Sequence, residues 1–246
     1  MHRNYMLSAV LVMLVVPLPA YQQEAFEADT YTTSAGDLTI TFIGHGTLMF
    51  ELGDRVIHID PVSREADYST LPKADLILIT HQHGDHCDPG AIELVSREDT
   101  DLMLNELCGD RVGHGTVLGN GDIERWDNIT IEAIPAYNVV HKRDNGEPFH
   151  PRGEGNGYVL GFGDTRVFVA GDTENTPEMK ALEDIEIAFL PMNLPYTMTP
   201  EMVADAAKAF RPKVLYPYHY GDTDPAELVT LMKGEPGIEI RIRKMD

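Results

Sequence analysis

Apolar and polar residues alternate along much of the chain. Leu38 to Ile43 reads Leu-Thr-Ile-Thr-Phe-Ile, a period of two with β-branched residues that predicts a half-buried strand. Thr47 to Leu52 and Arg55 to Ile59 repeat the pattern on either side of Gly53-Asp54, a pair suited to a hairpin turn. Leu76 to Thr80 is a continuous apolar run that predicts a buried strand ending at His81. Further strands are predicted over Leu102–Leu104, Ile129–Ile134, Tyr158–Gly161, Arg166–Ala170, Glu186–Leu190, Lys213–Pro217 and Ile238–Ile242. Helices are predicted from Pro89 to Arg97 behind an Asp88 cap, from Pro200 behind a Thr199 cap, and from Pro225 to Lys233. In the second of these, Val203, Ala206, Ala207 and Phe210 recur at helical spacing and form a stripe that packs on a sheet. Asn138 to Asn156 breaks the pattern: it is long, polar and rich in Gly and Pro, which marks a functional or a disordered loop. The strands thus fall into two groups, each finished by helices, and two sheets with helices outside fit that order.

The N-terminal residues read differently. Met1 to Ala20 combines one early Arg, a short apolar run and a Pro-Leu-Pro-Ala exit, the pattern of a cleaved secretory leader. The run is too short for a membrane span, which needs about 20 apolar residues. The expected organisation is a leader over 1–20, a lead-in segment over 21–36 and one domain over 37–246, with the mature protein periplasmic or secreted and without a stable membrane span.

Composition narrows the partners. The chain has 246 residues, with 19 Lys+Arg against 40 Asp+Glu and a formal charge of −21. Such a surface repels phosphate backbones and excludes nucleic-acid binding through a broad basic face. The expected partner is a small-molecule substrate. The two cysteines, Cys87 and Cys108, cannot make a disulfide scaffold. They are expected as two separate buried thiols, with a bridge as the alternative in an oxidising compartment.

The densest chemistry is His81-Gln-His83-Gly-Asp85-His86, directly after a predicted buried strand. Imidazole and carboxylate are the ligands of zinc, iron and manganese sites. A tight loop can turn His81 and His83 to one metal and Asp85 and His86 to a second, with Gly84 allowing the bend between them. The missing ligands are expected at other strand ends. Asp172, in Ala170-Gly-Asp-Thr173, can bridge two cations with one oxygen each. His219 ends another strand and supplies a further nitrogen.

These motifs, with Ile59-Asp60-Pro61, occur in an order that resembles the metallo-β-lactamase superfamily of metal-dependent hydrolases. Phe42-Ile-Gly-His-Gly-Thr47, Pro135-Ala-Tyr-Asn138 and Tyr196-Thr-Met198 are similar to a branch related to ascorbate-6-phosphate lactonase and to N-acylphosphatidylethanolamine phospholipase D. The resemblance implies an α/β fold, a four-layer αββα sandwich with the site at one edge. It also implies His81 and His83 as first-site ligands, Asp85, His86 and His219 as second-site ligands, Asp172 as the bridge, and Asp60 as the acid that orients the ligand loop. Relatives place a histidine where this chain has Asn138. His150, in Pro148-Phe-His-Pro-Arg-Gly153, resembles the histidine of relatives that share Tyr-Asn upstream, and it is preferred over His141 as the replacement ligand. Asn138 is then expected to orient substrate or water.

The implied activity is hydrolysis of an ester, lactone or phosphodiester by a metal-bound hydroxide at a two-metal site. The expected cofactors are two divalent ions, zinc first, with manganese or iron as alternatives. Asp85, Asp172, Asn138 and Tyr196 are the expected catalytic residues. Tyr218 is a second candidate donor to a developing oxyanion, Arg152 a candidate cation for an anionic substrate, and Asn193 a candidate pocket residue. His45 either faces the site or makes a structural hydrogen bond, whereas His58 and His114 carry no expected role. The competing reading is a mononuclear or non-catalytic metal-binding scaffold of the same fold.

Overall fold

Residues 26–245 are described by the structure, a computed structural model. The expected leader lies outside the described residues. Two seven-stranded mixed sheets face each other. The first holds β1 (Glu27–Thr33), β2 (Gly36–Gly44), β3 (Thr47–Leu52), β4 (Arg55–Ile59), β5 (Leu76–Leu78), β6 (Asp101–Leu104) and β7 (Thr116–Val117), in chain order. The second holds β8 (Ile123–Trp126), β9 (Ile129–Ala136), β10 (Gly155–Phe162), β11 (Thr165–Val169), β12 (Ile187–Pro191), β13 (Val214–Tyr218) and β14 (Glu239–Ile240). The helices are α1 (Pro89–Val95), α2 (Glu106–Val112), α3 (Pro177–Lys180), α4 (Pro200–Phe210) and α5 (Pro225–Leu231). The result is the αββα sandwich that the resemblance implied, with the two sheets and outer helices that the order of elements fits.

The main core lies between the sheets and under α4. Leu38, Ile40, Leu48 and Phe50 of the first sheet meet Leu160, Phe162 and Phe189 of the second. Phe189 stacks on Tyr216 with the ring planes 10° apart. The predicted α4 stripe is buried at all four positions, and Thr199 caps the helix by accepting from the Met202 N–H, a contact worth about 1 kcal/mol in such helices. A second, smaller cluster holds α1 and α2 on the outer face of the first sheet, through Ile77, Ile79, Ala91, Ile92 and Leu104.

Three features differ from the sequence reading. The segment taken as a lead-in contains strand β1, which pairs antiparallel with β2 over its whole length. It is an edge strand with most side chains exposed, so it lacks the apolar alternation that reveals half-buried strands. Helix α2 and strand β8 were not predicted, because each buries too few residues to show a period. Cys87 and Cys108 form a disulfide rather than two separate thiols. The small outer cluster brings the segment after the His-Gln-His loop and the first turn of α2 together, a proximity invisible along the chain.

The strand directions build the site. Strands β4, β5 and β6 run parallel, as do β11, β12 and β13. Their C-terminal ends therefore lie at one edge of each sheet, and Asp60, His81, Asp172 and His219 all follow such ends. No helix among the described residues is long and apolar enough to cross a membrane.

Candidate metal centre

Two groups of side chains offer ligand atoms within 4.8 Å of one another: His81, His83, His150 and Asp172 in one, His45, Asp85, His86 and His219 in the other. Asp172 joins them. Its Oδ2 lies 3.2 Å from His150 Nε2 and 3.7 Å from His81 Nε2, and its Oδ1 lies 3.4 Å from both His86 Nε2 and His219 Nε2.

Asp60 organises both groups from beneath. Its Oδ2 accepts from His86 Nδ1 at 2.8 Å and from the Thr80 hydroxyl at 2.6 Å, and that hydroxyl lies 3.1 Å from His81 Nδ1. The Thr80 proton points to Asp60, so its oxygen accepts from His81. Both histidines thereby carry their proton on Nδ1 and present Nε2 to the centre, the arrangement in which an outer carboxylate fixes the ligand tautomer.

Asn138 does the same for His150, whose Nδ1 donates to the Asn138 amide oxygen at 2.8 Å. The Asn138 amide nitrogen donates to the Tyr196 carbonyl at 2.8 Å and to Glu174 Oε1 at 3.2 Å. Its polar atoms are committed, so Asn138 is a positioning residue rather than the expected contact with substrate or water. Behind it, the fully buried Glu174 accepts the backbone N–H groups of Val139, Val140 and His141. Burial pushes the Glu174 carboxyl up, but these donors outweigh it and hold the group below its usual range. Glu174 thus shapes the turn that carries Asn138. It escaped the sequence reading, and the only signal was an acid two residues after Asp172.

The donor set fits divalent cations. The Nδ1 atoms of His81, His86 and His150 are committed, so their Nε2 atoms converge; burial opposes charge on His86, yet Asp172 and Asp60 raise its pKa well above the ordinary value, a positive charge that a cation would replace. His81 Nε2 is 3.1 Å from His83 Nδ1, His150 Nε2 is 3.2 Å from the same atom, and His86 Nε2 is 3.1 Å from His219 Nε2. Asp172 Oδ1 is buried without a well-directed hydrogen bond. Crowded lone pairs and an unsatisfied carboxylate oxygen are stabilised by a cation among them. Burial lowers the His81 ring well below its ordinary value and takes His219 down to about 4, so both are neutral ligands at pH 7. Asp172 is pushed up by burial, yet His219, His86 and the His150 hydrogen bond hold it well below the carboxylate range, so it stays ionised.

The backbone is strained here. His45, Asp60 and His219 have φ of 51°, 47° and 46°, left-handed values that cost non-glycine residues about 1–3 kcal/mol each. Gly46 is required by approach: a Cβ there would meet His86 Cε1 at 2.7 Å. Gly84 does not play the role expected of it. It is not left-handed, and an added Cβ would meet only Arg111 at 3.9 Å.

Other expected residues divide. His45 faces the site, its ring 3.7 Å from that of His219 and its Nε2 3.3 Å from Asp85 Oδ2. His141 turns away and pairs with Glu174 at 2.6 Å. Tyr196 and Asn193 line an open pocket of about 420 Å³ over the ligands. Tyr218 is buried behind the site, where its oxygen accepts from the Gly171 N–H, and it does not line the pocket. Arg152 pairs with Glu178 at 2.6 Å and does not line the pocket; the pocket's cation is Arg143, which was missed. His58 is buried with its Nε2 on the Pro72 carbonyl, and His114 is exposed.

Comparison with known proteins agrees with this geometry. A family profile described as a beta-lactamase superfamily domain matches residues 39–219. A UPF0173 metal-dependent hydrolase from Methanopyrus kandleri is 30 % identical over 207 residues, covering 77 % of this chain and 87 % of that protein. The crystal structure of a protein described as a metal-dependent hydrolase from Parabacteroides distasonis superposes with a TM-score of 0.86 at 52 % identity, covering 90 % of this chain and 100 % of that one. Igni18, a metallo hydrolase from Ignicoccus hospitalis, has a TM-score of 0.70 at 24 % identity, over 85 % of this chain and 95 % of that one, and shares the fold.

Proposed function

The chain belongs to the beta-lactamase superfamily, whose relatives here are metal-dependent hydrolases, and from that premise we propose an exported two-metal hydrolase that cleaves an ester, lactone or phosphodiester bond of a small molecule. One observation carries the two-metal reading: the two oxygens of Asp172 face two separate groups of nitrogens. His81, His83 and His150 would hold the first ion, and Asp85, His86 and His219 the second, with His45 beside it and Asp172 available to both. Zinc suits the imidazole-rich set, and manganese or iron ions are compatible with it.

Paired divalent ions supply a nucleophilic water with a pKa near 7 and electrostatic clamping of the attacked group. The chain supplies the rest. Asp85, partly exposed at the pocket floor, would be a ligand of the second ion, steadied by His45, whose Nε2 lies 3.3 Å from its Oδ2. The Tyr196 hydroxyl, on the pocket wall, donates to the developing oxyanion. Burial pushes Asp172 up, but His219, His86 and His150 hold it ionised, ready to face two cations. Asn138 holds His150.

Export is supported by the N-terminal leader pattern and by the Cys87–Cys108 disulfide, since such bonds persist in oxidising compartments. N-terminal sequencing of the protein from a periplasmic or medium fraction should find Met1 to Ala20 removed, and an intact Met1 would refute export.

The decisive measurement is metal per chain, by elemental mass spectrometry on protein purified without chelator. Close to two ions, with turnover of an aryl ester or a bis-aryl phosphate, is the expected result. One ion that excess metal does not raise to two would overturn the binuclear reading, and two ions without turnover across the panel would overturn the hydrolase reading.

A further inference from the structure

We propose that Arg143 anchors an anionic group of the substrate, so that the pocket selects small molecules carrying a carboxylate or phosphoryl oxygen beside a flat apolar part. The inference rests on the hydrolase reading of the same site and deepens it.

The pocket of about 420 Å³ has the metal-facing side chains as its floor and Arg143, Phe149, Asn193 and Tyr196 on its wall. That volume suits a small molecule rather than a polymer. Arg143 is the cation of this lining, and it makes no ion pair with a carboxylate among the described residues. Among the described arginines Arg111 and Arg125 also make no ion pair, but neither lines this pocket. Arg55, Arg97, Arg152, Arg166, Arg211, Arg241 and Arg243 are all paired with acids.

Arg143 is also held in place. Its backbone N–H donates to the Glu147 carbonyl at 2.7 Å, and its own carbonyl accepts from Gly146 at 2.9 Å, closing a short turn beside the Lys142–Pro148 bridge. The guanidinium lies 5.0 Å from the Phe149 ring centre, and its Nη2 donates to the Phe149 carbonyl at 3.2 Å. One contact leaves most of its five N–H donors for a ligand, in the planar fork that matches a carboxylate or phosphoryl group. Phe149 in turn meets Tyr196 edge to face at 5.1 Å, a flat apolar wall beside that fork. A charge placed in this way offsets the long-range repulsion that a −21 chain exerts on an anionic substrate.

The test uses metal-loaded wild type, Arg143→Gln and Arg143→Lys, each first checked for an unchanged melting curve. Calorimetry measures binding of phenylacetate, phenylphosphonate and neutral phenylacetamide. Arg143→Gln should weaken one or both anions by about tenfold to hundredfold, the range of a lost charge-assisted hydrogen bond, with Arg143→Lys in between. The anion with the larger loss identifies the group recognised. Kinetics compare 4-nitrophenyl butyrate with the mono-4-nitrophenyl ester of glutaric acid. The anionic-to-neutral ratio of kcat/KM should fall at least about tenfold in Arg143→Gln, through KM. Anion binding equal in wild type and Arg143→Gln would overturn the proposal, even with both esters turned over. Arg143-dependent binding without any turnover would leave the anchor standing and count against the hydrolase reading instead.

Discussion

His150 and Asn138 are joined three times: ring Nδ1 to amide oxygen at 2.8 Å, His150 N–H to the same oxygen at 2.7 Å, and Asn138 N–H to the His150 carbonyl at 2.9 Å. Asn138, at the position where the resemblance implied a ligand, holds the ring of the histidine we propose as the replacement. An amide oxygen is a weak zinc ligand but a good acceptor for an imidazole N–H. On that reading the ligand lies 12 positions further along the chain, and a histidine still faces the centre.

Asn138→Ala should free the His150 ring and weaken the first metal by about tenfold to hundredfold, the usual cost of losing a partner that orients a ligand. Competition with a chromogenic chelator would show one ion per chain released at lower chelator, with the other retained. Release of both ions together, or of neither, would contradict the positioning role.

The two loop histidines should behave oppositely. His150→Ala should lose one ion per chain, because its Nε2 sits 3.2 Å from Asp172 and from His83. His141→Ala should keep both ions and instead lower the melting temperature, since it deprives buried Glu174 of a partner at 2.6 Å. The reverse pattern in metal analysis would reassign the first site.

Breaking the disulfide should cost stability. The bridge closes a span of 21 residues, which in the chain-entropy account constrains the unfolded state by about 3 kcal/mol. Cys87→Ser with Cys108→Ser, unfolded in urea, should show a loss of that order. A change under about 1 kcal/mol would mean that the outer cluster alone holds α2 to the ligand loop.

His58 should make the protein acid-sensitive without touching the metals. Burial lowers its pKa from 6.5 to about 4. Between those values the unfolded chain binds a proton that the folded one does not, so stability falls as pH drops through this window and levels below it. From pH 7 to pH 5 this group should remove about 2 kcal/mol. His58→Gln can still donate to Pro72 and does not titrate. Its urea midpoint should fall less over the same interval, and parallel curves for the two proteins would remove His58 as the cause.

Much of this was legible in the chain. Sheet strands that bury one face, the α4 stripe and the caps at Asp88 and Thr199 follow from local periodicity and local hydrogen bonding, and they appear where expected. Edge strand β1 and helix α2 did not, because period is a record of burial and these elements bury little. The candidate ligands His81, His83, Asp85 and His86 were readable for another reason: they occupy one loop, so adjacency in sequence is adjacency in space. Asp172 and His219 were readable because residues after parallel strands collect at one edge.

What the sequence determined by itself, then, is the set of elements with strong periods, the ligand-rich loop and the strand-end residues that join it. Which of His141 and His150 turns inward, which of Arg143 and Arg152 reaches the pocket, and whether Cys87 meets Cys108 were decided by the tertiary structure alone. In each case the choice depends on a partner remote in sequence: Glu174 captures His141 and the turn before it, Glu178 captures Arg152, and the outer apolar cluster brings the sulfurs together. A loop has no internal period to set the direction of its side chains, so that direction is settled by whichever distant group satisfies its polar atoms.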